Sequence, residues 1–519
     1  MPVGPKIPSV GQILDIAEDI GLELTEEDAA SYRTLMSGTI ESYKRVDHYP
    51  EQKLPVNYPR TGGVRPAPED NPYNGWYVRC DIEGAENGPL AGMEIGLKDV
   101  VCLAGVPMMN GTQALEGFVP DIDATIATRL LDAGARIVGK TAAADHSFSG
   151  GGHTSAYGPV RNPRKPTHSP GGSSKGSAAV VAAGDVPAAI GGDQGGSIRI
   201  PAAWCGVVGH KPTFGLVPYT GCAMIELTLD TLGPITDTVE TAARVLGAIA
   251  GPDPLDPRQR GVIPDDYVSD YLPAIDKGID GMKIAVVKEG FDQRSEDVGG
   301  LPGSNPEVDR KVRDTLDRLE AAGATVTEVS IPMHFDGLHL WNAVAVEGAT
   351  EFMLKGNNTG TNWEGFYNTN LLDAAARGNR TRLNDISPTV KLVRLLGEYM
   401  NRNYHGRYYA KAQNVRHLVR EAYDDVLGSY DLLAMPTIPN VATEIPPADC
   451  SLEDAVFYGL SMINNTPQFN LTGHPSISVP CGVVDELPVG LMFVGKHFDD
   501  LRVLQAADAV EKLGDWQSW

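Results

Sequence analysis

GGSSKGSAAVVAAGDVPAAIGGDQGGSIRIPAAWCGVVGHKPT, residues 171–213, is the stretch on which the reading of this chain turns. Gly172 to Gly176 fits G-x-S-x-G, the elbow that lifts a nucleophilic serine above an α/β-hydrolase sheet. That elbow needs a strand leading into it. The preceding PVRNPRKPTHSP carries four prolines, which a central strand does not tolerate. The His- and Gly-rich oxyanion loop that accompanies such elbows is also missing, and Ser174 is not read as a nucleophile.

A second serine lies further on. Ser197 follows Gln194, Gly195 and Gly196. Paired glycines let the backbone fold tightly enough for successive N–H groups to point at one spot. That arrangement suits the oxyanion of a tetrahedral acyl intermediate. The serine still needs a base. A lysine serves if burial disfavours its charge and draws its pKa from about 10.4 toward neutrality. Lys98, in the strand-like run IGLKDVV, is the candidate, with Ser173 as a relay between the two. Taken singly, these features also fit a plain Gly-Ser loop and a solvated lysine.

Taken together, residues 171–213 resemble the signature sequence of the amidase signature family. Ser173 and Ser197 stand 24 residues apart, the family's spacing, and Lys98-Asp99 fits its upstream lysine. The flanks VCLAGVPMMNGT and FGLVPYTG and the helical N-terminal extension resemble the branch of amidases encoded beside nitrile hydratases, with their carbamate-cleaving relatives. The resemblance spans roughly residues 30 to 500. It implies Ser197 as nucleophile, Ser173 (after a cis bond to Gly172) as relay and Lys98 as base. It also implies an oxyanion hole from the N–H groups of Gln194, Gly195, Gly196 and Ser197. No metal or cofactor is required, and no histidine cluster in the sequence suggests one. For the substrate pocket it implies aromatic walls at Phe148 and Trp341 and apolar lining at Leu460 and Ile463, positions that plain core would also explain.

Two departures from the family pattern stand out. Lys175 occupies a place where Gly or Ser is usual, and a solvent-facing side chain is expected there. Ala144 stands where relatives often carry an acid. Asp193 and Arg199 read as a structural ion pair beneath the loop in preference to a substrate clamp.

Gly134 to Thr141, GARIVGKT, matches the phosphate-binding pattern G-x-x-x-x-G-K-[ST]. Its order is reversed, since the first glycine ends a helical run and a strand-like run fills the interior. The match is read as chance.

The expected fold is α/β, the amidase-signature fold: a central mixed β-sheet flanked by helices. The expected divisions are an N-terminal helical region at 1–78, a first core part at 79–302, an inserted helix-rich small domain at 303–432 and a second core part at 433–519. Ser9 and Gln12 have capping-box spacing, and Ile13, Ile16, Ala17 and Ile20 form one face before Gly21. Thr25 opens a second helix with Tyr32, Leu35, Met36, Tyr43 and Val46 at helical period. Such a pair must pack on the body or on another subunit, and a homodimer or higher homo-oligomer is expected, with homodimerisation through these helices as the hypothesis.

The chain has 519 residues, with 67 Asp+Glu against 43 Lys+Arg and a net charge of -24, a balance that repels phosphate backbones and anionic lipids. Neither a nucleic-acid nor a membrane partner is expected. No apolar run reaches transmembrane length, and no signal-like layout opens the chain, so a cytoplasmic location is expected. The six cysteines are scattered and read as small buried thiols. The expected activity is hydrolysis of small aliphatic or aromatic carboxamides. Carbamate hydrolysis and the glutaminase subunit of a tRNA amidotransferase are the alternatives.

Overall fold

The computed structural model describes residues 4–264, 267, 269–361 and 363–519. Thus the first three residues of the expected helical region lie outside the described residues. The chain divides into two compact units, Met1–Leu54 and Pro55–Trp519.

The first unit is a helical pair, Val10–Ile20 and Glu26–Val46. Ser9 Oγ accepts from Gln12 N while the Gln12 side chain accepts from Ser9 N, and Thr25 and Asp28 repeat the reciprocal arrangement. Gly21 ends the first helix with φ 77°, the left-handed C-cap that glycine adopts without penalty. Ile13 and Ala17 are buried, whereas Ile16, Ile20, Leu35, Tyr43 and Val46 are exposed.

The second unit is built on one sheet of eleven strands: β1 (Trp76–Glu83), β2 (Glu94–Lys98), β3 (Arg136–Thr141), β4 (Ala188–Asp193), β5 (Val208–Lys211), β6 (Thr231–Thr236), β7 (Lys283–Val287), β8 (Thr325–Val329), β9 (Leu432–Pro436), β10 (Ser476–Val484) and β11 (Leu487–Val494). Their order is β1-β3-β2-β4-β6-β5-β10-β11-β9-β7-β8. Strands β3, β2 and β4 run parallel, as do β9, β7 and β8, and the middle of the sheet is antiparallel. With helices around it, this is the expected α/β fold with a mixed sheet.

Burial on both faces explains the all-apolar or small composition of the central strands. All six residues of β4, AAIGGD, are buried. Against β4 lies the helix Lys175–Ala182, whose Ala178, Val180 and Val181 join Trp76, Val138, Ala189, Ile198 and Ile235 in one core cluster. Residues 303–432 contribute the helix Pro306–Ala321 and β8 to the sheet layer. Among the described residues they then give the helices Met333–Ala349, Thr369–Thr381, Pro388–Tyr404 and Arg407–Leu427.

The GARIVGKT match is a strand, not a phosphate loop. Residues Arg136–Thr141 are β3, and Lys140 is buried with its Nζ 2.8 Å from Asp99 Oδ1. All six cysteines are free thiols, four of them buried.

Candidate active site

Lys98 ends β2 and Asp193 ends β4, and the two strands are parallel neighbours with Leu97 opposite Ile190. Their C-terminal ends therefore emerge at the same edge, with the 191–193 backbone beside the lysine. Lys98 Nζ donates to Gly192 O at 3.1 Å and to Ser173 Oγ at 2.7 Å. Burial is complete on all sides and draws the Lys98 amine down to about 7, although Asp193 and Asp230 oppose the shift. A large fraction of this lysine is thus neutral at physiological pH.

Ser173 sits on the loop before the helix Lys175–Ala182, and the Gly172–Ser173 peptide is cis. Ala144 N donates to Ser173 O at 3.2 Å, and Ser174 N donates to Ser197 O at 3.3 Å. The second bond joins the Ser173-Ser174 turn to the Ser197 turn. Ser174 Oγ donates to Gly192 O and accepts from Gly192 N, both at 3.1 Å. A hydroxyl so engaged ties its loop to β4.

The Gln194–Ser197 turn is held from three sides. Trp341 Nε1 donates to Gln194 O at 2.7 Å, and Thr466 Oγ1 donates to Gly195 O at 2.6 Å. In a trans peptide the N–H opposes the carbonyl, so the first bond turns the Gly195 N–H away from Trp341. Both glycines are required by packing. A Cβ on Gly195 would lie 2.5 Å from Trp341 Cζ2, and one on Gly196, where φ is 128°, would lie 2.3 Å from Thr466 Oγ1. The Gly196 N–H donates to Asp193 Oδ1 at 2.7 Å. Of the four N–H groups expected to serve an oxyanion, that of Gly196 is engaged by a carboxylate within the turn.

Asp193 anchors this arrangement. It accepts from Gly196 N, Ile198 N and the Arg199 guanidinium, and Asn470 Nδ2 donates to it at 2.8 Å. Burial pushes this carboxyl up, yet Arg199 and the N–H bonds hold it well below the usual carboxylate range. Arg199 in turn donates to Asn470 Oδ1 at 2.7 Å. All three are fully buried or nearly so, as an ion pair beneath the loop should be.

Lys175 does not face solvent. Its side chain is completely buried and Nζ donates to Gly152 O at 3.1 Å, and burial draws the amine down to about 7. The helix it opens packs onto the sheet, so its first residue has no outward face.

Over Ser197 opens a cavity of about 280 Å³. Phe148, Trp341, Leu460 and Ile463 line it, as do Gln194 and Gly195. Its polar groups include Ser147, His339 and Asn342, and among the described residues no Asp, Glu, Lys or Arg lines it. Sequence reasoning missed Thr466, Asn470 and Tyr219, whose hydroxyl accepts from Gln194 Nε2 at 3.3 Å. Thr466 and Asn470 stand about 270 positions from the turn they hold, and no local motif marks them.

A buried near-neutral lysine, a serine on its amine and a second serine beside a glycine turn form a site suited to acyl transfer. The comparisons agree in class. The family model described as Amidase matches residues 78–504, and the chain belongs to that family. It is an amidohydrolase of the amidase-signature type. Among its relatives is an enantioselective amidase of Rhodococcus rhodochrous, 42% identical over 514 residues, covering 98% of this chain and 96% of the relative. A glutamyl-tRNA(Gln) amidotransferase component of Methanosarcina acetivorans is 40% identical over 448 residues, covering 85% of this chain and 88% of that one. The crystal structure of the peptide amidase from Stenotrophomonas maltophilia superposes with a TM-score of 0.66 at 30% identity, covering 82% of this chain and 83% of that one.

Proposed function

We propose that the protein hydrolyses neutral carboxamides with a small aliphatic or aromatic acyl group to the acid and ammonia. The largely apolar cavity over Ser197, lined by no Asp, Glu, Lys or Arg among the described residues, carries this reading. Free glutamine presents an α-ammonium and an α-carboxylate, and an apolar wall offers neither an ionic partner. That argues against the glutaminase role of the amidotransferase relative, despite the identity. The same cavity accommodates a carbamate, whose acyl group carries an alkoxy oxygen, so urethanase activity is the second reading. A chiral preference, as in the name of the Rhodococcus relative, fits a pocket walled by two fixed aromatic rings. Membership of the branch encoded beside nitrile hydratases is part of this proposal.

In the proposed mechanism neutral Lys98 accepts the Ser173 proton while Ser173 accepts that of Ser197. Ser197 Oγ bonds to the carbonyl carbon, and the N–H groups of Gln194, Gly195 and Ser197 hold the oxyanion. The proton returns through Ser173 to the leaving nitrogen, the C–N bond breaks and ammonia departs. Water, deprotonated through the same chain, then cleaves the acyl ester. The 2.7 Å Lys98–Ser173 contact supports the base and relay roles.

The helix-rich residues 303–432 supply Trp341 and the pocket wall facing the signature turn, between the core parts at 79–302 and 433–519. The exposed apolar residues of the N-terminal pair support a homodimer through the helical region 1–78. No helix among the described residues is long and apolar enough to cross a membrane, and a cytoplasmic location completes the reading. The test is ammonia release from propionamide, benzamide, glutamine and ethyl carbamate, with Ser197→Ala as control. Benzamide or propionamide is expected to be the best substrate. Preference for glutamine would overturn the reading.

A further inference from the structure

Asp424, His474 and His497 are scattered in the sequence, but the fold brings them together. β10 and β11 pair antiparallel with Ser476 opposite Val494, so His474, just before one strand, and His497, just after the other, meet at the same end. Asp424 comes from the last turns of the helix Arg407–Leu427. One ligand atom from each of the three lies within 4.8 Å of the other two. His474 Nε2 is 3.0 Å from Asp424 Oδ1, and His497 Nδ1 is 4.0 Å from the same oxygen.

The hydrogen bonds around the rings decide what the nitrogens can do. His497 Nε2 donates to Thr472 O at 3.0 Å. A carbonyl only accepts, so the proton of the neutral ring sits on Nε2 and Nδ1 presents a lone pair toward Asp424. His474 Nδ1 lies 2.8 Å from Thr472 Oγ1, and that hydroxyl has Gln468 O as its own acceptor at 3.0 Å. In the metal-free ring Nε2–H donates to Asp424 Oδ1; Thr472 Oγ1 can accept from Nδ1–H instead, so a cation can replace the Nε2 proton between the ring and the carboxylate. Each imidazole thus has the outer partner that orients a metal-binding histidine.

We propose that Asp424, His474 and His497 bind one divalent transition-metal cation of the zinc, cobalt or nickel type. Two imidazoles and a carboxylate suit these ions, whose bonds of about 2.1 Å place tetrahedral ligands about 3.4 Å apart, between the 3.0 and 4.0 Å of the two histidine–carboxylate pairs. His474 is buried, while Asp424 is about half exposed and His497 about a quarter, so an ion can enter and water can fill the remaining position. Arg420 donates to Thr472 O at 2.9 Å and its charge opposes the cation, which places the affinity below that of a closed structural zinc site. Lys211, also nearby, is drawn to about 7 by burial and opposes it less. The ion joins the helix bearing Asp424 to the loop that ends the helix Pro467–Thr472, the helix carrying Asn470. Its role is to brace the support of the Asp193–Arg199 pair, separate from amide hydrolysis.

The test is titration of the full chain with Co2+ and with Zn2+. One equivalent of Co2+ is expected to give visible d–d bands that Zn2+ abolishes. His497→Gln and Asp424→Asn are each expected to weaken binding at least about tenfold, while His417→Gln, on the exposed face of the same helix, leaves it unchanged. X-ray absorption of the Zn2+ adduct of the unaltered protein should count two imidazole nitrogens, a readout that needs no variant to fold. Lack of stoichiometric binding, binding that survives both substitutions, or fewer than two imidazoles would overturn the proposal.

Discussion

Lys98 Nζ and Ser173 Oγ lie 2.7 Å apart at the sheet edge where parallel β2 and β4 end, and the lysine's other acceptor is the Gly192 carbonyl of β4. The contact places a buried amine and a hydroxyl in direct line of proton exchange, with bulk water kept off the amine. Its protonation state decides whether it can accept a proton from Ser173.

The first prediction concerns pH. With Lys98 drawn to about 7, kcat/KM should rise about tenfold per unit as pH approaches 7 from below and level off above it. Lys98→Ala should lose on the order of 10²–10⁴ in kcat together with that limb of the profile, with circular dichroism unchanged. A flat profile from pH 5 to 9 in the unaltered enzyme would remove Lys98 as base.

Ser173→Ala should lower kcat on the order of 10²–10⁴ with KM little changed, because it removes the relay and leaves the cavity intact. A serine-directed phosphonate should label the unaltered protein at Ser197 and fail with Ser197→Ala, as read by mass spectrometry of the peptides.

Asn470 bridges both members of a buried ion pair. Asn470→Ala should cost about 1–3 kcal/mol, the desolvation left uncompensated on Arg199 and Asp193, and should lower kcat as the Ser197 turn loosens. Denaturant unfolding and steady-state kinetics on the same variant check both halves.

Trp341 both walls the cavity and fixes Gln194 O. Trp341→Phe keeps an aromatic wall, though a smaller one, and loses the N–H donor, so kcat should fall more than KM for benzamide rises. Trp341→Leu should raise that KM further. If the two variants behave alike on both parameters, the Gln194 bond does not position the turn.

Lys175 shows the linkage between burial and stability. Its amine titrates near 7 when folded and near 10.5 when unfolded, so between those values the unfolded chain holds more protons. Stability from this residue therefore increases as pH rises from 7 to 10.5 and is lost as pH falls toward 7. Lys175→Met should flatten that part of the stability–pH curve and be neutral or stabilising at pH 7. Chemical denaturation at pH 7, 8.5 and 10 measures the slope.

Much of the fold was readable because it is written locally. RIVGKT is β3 residue for residue, MKIAVVKEG holds β7, and the Ser9 and Thr25 caps start the first two helices. Periodicity, capping and turn chemistry act over a few residues and survive in the sequence. Lys98, Ser173 and Ser197 were likewise marked by their contexts, the last two by a fixed spacing.

What the sequence alone determined, then, is the fold class, many of its elements and the candidate residues they carry. Tertiary structure decided what surrounds them. The parallel register of β2 and β4 buries Lys98, and removal from water is what lowers its pKa. Packing of the helix onto the sheet turned Lys175 inward against expectation. Asp193 captured the Gly196 proton, Asn470 and Thr466 arrived from some 270 positions away, and one strand register paired His474 with His497. These are effects of desolvation and of contacts between distant segments, and no local pattern encodes either.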